Sequence, residues 1–334
     1  MKKNKICTKG IWNETIPGIH FSNDGSSNYS KIFSQMEDQY PRAEKGKKDF
    51  DIILKKIKKQ KGKYDCLIGI SGGTDSSYLM HIAKKTYGLN PLAVTFDNGW
   101  NSDISVKNIK KMTSALGIDL ETYVVDYEEM KDLLKSYMKA SLPWIDFPTD
   151  HAIKSILYKL ANREGIKHIL IGHDFRSEGT QPREWTYGDS KQIKYIQKNF
   201  GTIKLKTYPN ISIFKQFYLG YIKKIKIIYP FFFIDYNKNN AQKFLKENYD
   251  WQYYGGHHHE NIFTKYAISY WMKNKFNIDK RLITLSAQLM SGEIDREYAL
   301  NEISFSPYNT KEIDNEINYL IKKLDLSKNE YNLI

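Results

Sequence analysis

Residues 71–77 place three serine hydroxyls, two glycines and one carboxylate within the seven positions SGGTDSS. Ser71, Ser76 and Ser77 supply hydroxyl donors. Gly72 and Gly73 let the backbone turn sharply and approach a ligand closely. A helix that follows such a loop adds unpaired N–H groups and the positive end of its dipole. Together these groups suit phosphate oxygens. The spacing is neither GxxxxGK[ST] nor GxGxxG, so it is not a Walker loop or a dinucleotide fingerprint. Two glycines after a strand also make an ordinary turn, and the loop alone leaves both readings open.

Other residues join it by position. Asp97 stands just past a second apolar run, in "VTFDNGWNS", and Gly172, His173 and Asp174 follow a later one, in "LIGHDFRSEG". A histidine after a strand is often a packing or surface residue. Asp150 precedes "HAIKSILYKL" and could cap that helix. The run "HHHE" at 257–260 suggests a metal. Adjacent histidines point in different directions, however, so these residues alone do not close a zinc site.

These positions need elements to hold them. "FDIILKKIKK" has helical spacing, and "DCLIGI" reads as a short buried strand. "SSYLMHIAKKTYG" reads as a helix closed by Gly88, "PLAVTF" as a second strand and "DISVKNIKKMTSALG" as a helix ending at Gly117. "LETYVV" is a third strand, "MKDLLKSYMKA" and "TDHAIKSILYKLANREG" are helical, and "HILIG" is a fourth strand. Strands alternating with helices predict an α/β fold with a doubly wound parallel sheet. Ligands then sit at the carboxyl ends of the strands, where residues 71–77 and 172–174 lie. Residues 1–45 read as an irregular N-terminal segment, 46–235 as the α/β domain and 236–334 as a helical C-terminal region. Within the α/β part, residues 173–235 read as irregular, aromatic and basic. Five helical segments follow, the last capped by Asn309 or Thr310.

Composition bounds the rest. The 334 residues carry a net charge of +13, with 41% hydrophobic and 27% charged residues. That is a globular composition. No apolar run reaches transmembrane length, and the N-terminus lacks an apolar core after its lysines, which predicts no signal peptide and a cytoplasmic protein. Two cysteines, Cys7 and Cys66, cannot form a disulfide framework. The positive charge fits a phosphate-bearing ligand, an acidic partner or nucleic acid. Its spread through amphipathic segments also fits solvated lysine faces.

The arrangement SGGxDS resembles the PP-loop of the ATP pyrophosphatases, a family that includes GMP, NAD and asparagine synthetases and tRNA-modifying enzymes. The resemblance implies that Ser71, Gly72, Gly73, Asp75, Ser76 and Ser77 hold the pyrophosphate side of ATP, with Asp75 near magnesium. It implies that Phe96 and Gly172 border the nucleotide and that Asp97 and His173 join Asp75 in catalysis. "FPTDHAI", "GHDFRSEGTQPREW", "YYGGHHHENIFTKY" and "IDKRLITLSAQLMSGEIDREYAL" together resemble the N-acetyl sugar amidotransferases of bacterial surface-sugar pathways, in collinear order over nearly the whole chain. That resemblance makes Asp150, Glu178, His258, Glu260 and Lys265 candidates for the substrate or nucleotide pocket. It implies ATP-dependent conversion of an acetamido sugar to an acetamidino sugar. ATP and Mg2+ are the implied cofactors. The implied partners are a separate glutaminase resembling that of histidine synthesis and a cyclase-like companion, with nucleic acid unlikely.

The sequence departs from that family at its start. Two CxxC pairs are usual there; here Cys7 remains, while Gly10, Ser27 and Ser30 occupy the other positions. No zinc is expected, and residues 1–31 must rest on packing, through Trp12, Ile19 and Phe21. Two rival readings are a lysidine-type tRNA-modifying enzyme and a degenerate ATP-binding scaffold subunit.

Overall fold

The computed structural model describes residues 5–256 and 258–334. Residues 1–4, the start of the N-terminus expected to carry no signal peptide, and His257 of the histidine run lie outside the described residues.

Five parallel strands form one sheet: β1 Cys66–Gly69, β2 Pro91–Asp97, β3 Asp119–Val124, β4 His168–Leu170 and β5 Lys226–Ile228. Their order is β3-β2-β1-β4-β5. β1 pairs with β2 on one side, Gly69 opposite Val94, and with β4 on the other, Leu67 opposite Ile169. The chain therefore winds outward from β1 to β3, returns, and winds outward again through β4 and β5. The direction reverses between β1 and β4, which opens a crevice beyond their carboxyl ends. β2 is buried along almost its whole length, as a strand covered on both faces must be, whereas β3, at the sheet edge, has no buried residue. The predicted doubly wound parallel sheet is the fold observed.

Several local expectations need correction. The N-terminal segment contains a helix, Asn28–Gln39, whose Ser27 cap accepts from Ser30 N–H. Residues 173–235 are not irregular throughout. They hold the helix Ser190–Phe200, a second helix Ile213–Phe217 that runs on as a π-turn over Tyr218–Ile222, and the edge strand β5. β5 has only three residues, two of them isoleucines beside lysines, too short a run to show a period. The helix over 147–163 begins earlier than "HAIK", so Asp150 sits inside its first turn and does not cap it; its carboxylate accepts from Trp144 Nε1 at 2.8 Å. Neither Asn309 nor Thr310 caps the helix Ile313–Lys323: Asn309 Oδ1 takes Lys311 N–H instead. A further helix follows, Lys328–Leu333, with a capping box between Ser327 and Glu330.

The N-terminal segment is docked on the C-terminal helices. Arg296 donates to the carbonyls of Cys7, Thr8 and Gly10, and Ile11 N–H donates to Ser286 Oγ. Cys7 Sγ accepts from Ser27 N–H at 3.2 Å. Trp12 is fully packed in the core, with Ile19 and Phe21 against its margin. Residues of all three predicted segments share this one core, from Ile11 through Leu92 to Leu326. Among the described residues no helix is long and apolar enough to cross a membrane.

Candidate active site

Beyond the ends of β1 and β4 lies a cavity of about 320 Å³. Its floor is the loop after β1. Gly72 has φ of +78°, and a Cβ there would stand 2.3 Å from the Ser105 carbonyl oxygen, so this turn demands glycine. Ser71 N–H donates to Ser76 Oγ, and Gly73 N–H to Ser71 Oγ, which fixes the loop at the start of the helix Thr74–His81. Ser71, Gly73, Asp75 and Ser76 line the cavity. Gly172, after β4, packs so tightly on this helix start that a Cβ would lie 2.8–2.9 Å from the backbone of Asp75 and Ser76.

Asp75 is already engaged. Lys238 Nζ stands 2.8 Å from Oδ2, and Tyr236 Oη donates to Oδ1. Burial alone would lower the Lys238 pKa, but Asp75 and then Glu178 outweigh it and hold the ammonium charged. Tyr236 Oη and Lys238 leave Asp75 with no oxygen that lacks a hydrogen-bond donor, which qualifies its expected place beside magnesium. Glu178 and Glu260 add hard oxygen donors to the same cavity. Among the described residues no cluster of three or more metal-ligating side chains exists. This donor set suits a magnesium ion that arrives on a polyphosphate and takes one or two carboxylates, and not a cage built by protein alone.

The wall on the β4 side carries His173, whose Nδ1 lies 2.6 Å from Glu178 Oε2. Burial pulls this imidazole's pKa down, yet Glu178, Asp174 and Asp75 more than reverse it, and the net shift is upward. Asp174 is buried with Arg176 Nη1 at 3.9 Å, and burial pushes its pKa up to about 6.

The opposite wall comes from the C-terminal region. Main-chain bonds from Ser102 N–H to the Glu260 carbonyl and from Ile262 N–H to the Trp100 carbonyl strap residues 260–262 along the loop after β2. This brings His258, Glu260, Asn261 and Thr264 to the cavity. His258 Nδ1 lies 3.5 Å from Glu260 Oε1. Burial opposes the Glu260 charge, but His258 overcomes it and the carboxyl pKa ends below its usual value. Glu260 Oε2 is buried without a hydrogen-bond partner among the described residues. Asp150 lines the deep end. Beside it Asp146 is fully buried, and burial followed by the Asp150 charge pushes it up to about 7.

Twelve of the fifteen expected positions thus either line the cavity or build its loop directly behind: Ser71, Gly73, Asp75, Ser76, Phe96, Asp150, Gly172, His173, Glu178, His258 and Glu260 line it, and Gly72 anchors the loop through its carbonyl, which accepts from Asn108 Nδ2 and Trp251 Nε1. Ser77 is buried behind the loop, and its hydroxyl has no hydrogen-bond partner among the described residues. Asp97 and Lys265 stand elsewhere. Asp97 closes its own turn by accepting from Gly99 N–H and lines a separate shallow hollow with Ser102 and Lys323. Lys265 is ion-paired to Glu316. Lys238, Tyr236, Tyr254, Asn98 and Asn261 were not expected. Lys238 lies in an asparagine-rich run with no motif around it. Asn98 and Asn261, joined by a 3.1 Å hydrogen bond, are visible only once the two loops pair.

Residues 61–173, which hold the glycine loop and β1 to β4, match the family described as asparagine synthase. Residues 260–334 match the family described as LPS biosynthesis protein WbpG-like, C-terminal domain. An uncharacterized protein of Methanocaldococcus jannaschii is 30% identical over 151 residues, which are 44% of this chain and 52% of that protein, so the chain spans about half of that relative's length. Among solved structures, the NH3-dependent NAD synthetase of Campylobacter jejuni is 13% identical, covering 81% of this chain and 96% of that one, with a TM-score of 0.36. The U34-tRNA thiolase NcsA of Methanococcus maripaludis is 15% identical, covering 88% and 89%, with a TM-score of 0.33. The glycine loop with β1 to β4 of the parallel sheet is thus the part of the chain that is similar to asparagine synthase, and the stretch that closes its cavity is similar to a domain of lipopolysaccharide biosynthesis proteins.

Proposed function

We propose that the chain is an AMP-forming, ATP-dependent amidotransferase that converts the acetamido group of a bacterial surface sugar to an acetamidino group. One observation carries this reading. The phosphate-type loop Ser71–Ser77 and residues of the lipopolysaccharide-type segment, Glu260, Asn261 and Thr264, face each other across one cavity.

An amide oxygen is a poor leaving group. In this reaction it attacks the α-phosphorus of ATP, the bond to the bridging oxygen breaks, and pyrophosphate leaves. Ammonia then adds to the activated carbon, the carbon–oxygen bond breaks, and AMP departs with the oxygen. No covalent enzyme intermediate is required. The loop N–H groups, Ser71, Ser76 and Lys238 are suited to the phosphates. Magnesium bound with ATP would offset phosphate charge, and the cavity carboxylate of Glu178 would hold it. His173, whose pKa Glu178 raises, is a donor for the departing phosphate oxygens. Glu260, whose pKa His258 lowers and whose Oε2 has no hydrogen-bond partner among the described residues, is the acceptor for the proton that ammonia must lose. Asp150 and Thr264, which line the same cavity, would orient the sugar.

Ammonia is supplied on this reading by a separate glutaminase, with a cyclase-like companion, because ammonium at neutral pH has no lone pair to attack with. Sulfur transfer to tRNA fits less well: Cys66 lies in β1 with 0% exposure, and burial raises its thiol pKa, so it is not a reactive thiolate. The test is to incubate the chain with ATP, magnesium, ammonium and a panel of acetamido sugars. Sugar-dependent AMP release is expected. AMP release that requires tRNA and ignores sugars would replace this reading with tRNA modification.

A further inference from the structure

Between Ser190 and Ile234 the sequence has nine lysines and no aspartate or glutamate. All nine lysine side chains are exposed. In the middle of this stretch runs the helix Ile213–Phe217 with its π-turn continuation to Ile222. Ile213, Phe214, Phe217, Tyr218, Tyr221 and Ile222 recur at i, i+1, i+4, i+5, i+8 and i+9. That spacing sets six large apolar side chains along one face. All six are exposed, Phe214 at 82% and Tyr221 at 73%. Leu219, on the opposite face, is buried and anchors the helix to the protein. Lys215 lies within the helix, and Lys223, Lys224 and Lys226 follow it directly.

We propose that this helix is a docking element for an anionic membrane surface, lying in the interface with its aromatic face among the acyl chains and the lysines at the headgroups. An apolar stripe of this size is costly to leave in water. Its flanks select the cover. A second copy of the chain would bring lysines against lysines across the contact. An RNA partner would meet isoleucines at both ends of the stripe, where stacking needs flat rings and polar donors. An anionic bilayer satisfies both the stripe and the lysines, and the short helix lies on the surface without spanning it.

The placement links docking to the cavity. The strap entering the helix is tied to the helix over 147–163: Asn210 Oδ1 is hydrogen-bonded with His151 Nε2 at 2.9 Å, and Ile211 N–H donates to Ser155 Oγ. Asp150 and Ile153 of that same helix line the cavity, and Ile153 is partly exposed. On the amidination reading, a sugar carried on a membrane lipid is the substrate class this arrangement would serve. The docking claim does not depend on that reading.

Vesicle sedimentation tests it with the full chain. Vesicles of phosphatidylcholine with phosphatidylglycerol should bind the protein, and vesicles of phosphatidylcholine alone should bind it much less. Phe214→Ser/Phe217→Ser should weaken binding at least about tenfold, and Lys223→Gln/Lys224→Gln should remove the preference for phosphatidylglycerol. Both double variants should melt like the parent, since the side chains are exposed. Absence of binding at low salt, or equal binding by parent and variants, would overturn the proposal. So would a parent dimer that the Phe214→Ser/Phe217→Ser variant converts to monomer, which would give the face to a second copy. AMP formation measured in detergent-free solution with soluble sugars reads the catalytic proposal separately.

Discussion

Lys238 Nζ lies 2.8 Å from Asp75 Oδ2, joining the first turn of the helix Lys238–Tyr249 to the first turn of the helix that follows the glycine loop. Both side chains are largely buried, at 16% and 17% exposure. The pair bridges the α/β region and the C-terminal region at the place where phosphate is expected.

Breaking this pair on one side leaves a charge in a poorly solvated site. Lys238→Met is expected to destabilise the fold by about 2–3 kcal/mol, somewhat less than a fully buried pair would lose. Adding Asp75→Asn should recover part of that loss, because no unpaired charge then remains. AMP formation should fall at least tenfold in the single variant, from lost phosphate contact of the charge-assisted type, about 1.5–3 kcal/mol. Urea midpoints and initial rates measure the two effects. A variant with parental stability and parental KM for ATP would remove Lys238 from the site.

Gly172 tests the loop geometry without touching a reactive group. A methyl group there meets the backbone of Asp75 and Ser76 at under 3 Å, so β4 and the loop must move apart. Gly172→Ala is expected to lower affinity for ATP strongly while the thermal melt shifts by only a few degrees, about 1 kcal/mol for a local displacement. Isothermal titration with a nonhydrolysable ATP analogue reads it directly.

Asp146 makes stability depend on pH. Its folded-state pKa, about 7, lies above the ordinary carboxyl value of 3.8 because the group is buried beside Asp150. The folded chain therefore binds the proton more tightly than the unfolded chain. This contribution is fully present below about pH 4 and is lost as pH rises toward about 7. Asp146→Asn removes it. The variant should gain about 2 kcal/mol more relative to the parent at pH 8 than at pH 5. Urea unfolding at the two pH values checks the sign.

The sheet was legible because its central strands are continuous apolar runs closed by glycines, and because β1 and β2 are each followed by a segment read as a helix. β5 escaped because three residues among lysines show no period. The loop Ser71–Ser77 and Gly172 were legible from their glycines, whose positions the close contacts with Ser105 and Asp75 explain. Asp97 was expected in the site beside Phe96, but adjacent strand residues face opposite ways. Its side chain turned outward to Gly99 while Phe96 lined the cavity. Lys265 was one of several lysines in a helical run, and its partner Glu316 lies fifty-one positions on, a pairing that only the fold creates. Lys238, Asn98 and Asn261 act through contacts between segments far apart in sequence, and no local pattern marks them.

The central claim is that ATP activates the amide oxygen of the sugar. Its most direct test uses an acetamido sugar labelled with heavy oxygen in the acetyl carbonyl, incubated with the chain, ATP, magnesium and ammonium, with the nucleotide product analysed by mass spectrometry. The account predicts AMP that carries the label in its phosphate, together with an amidine product that has lost it. Unlabelled AMP, or ADP in place of AMP, would contradict it.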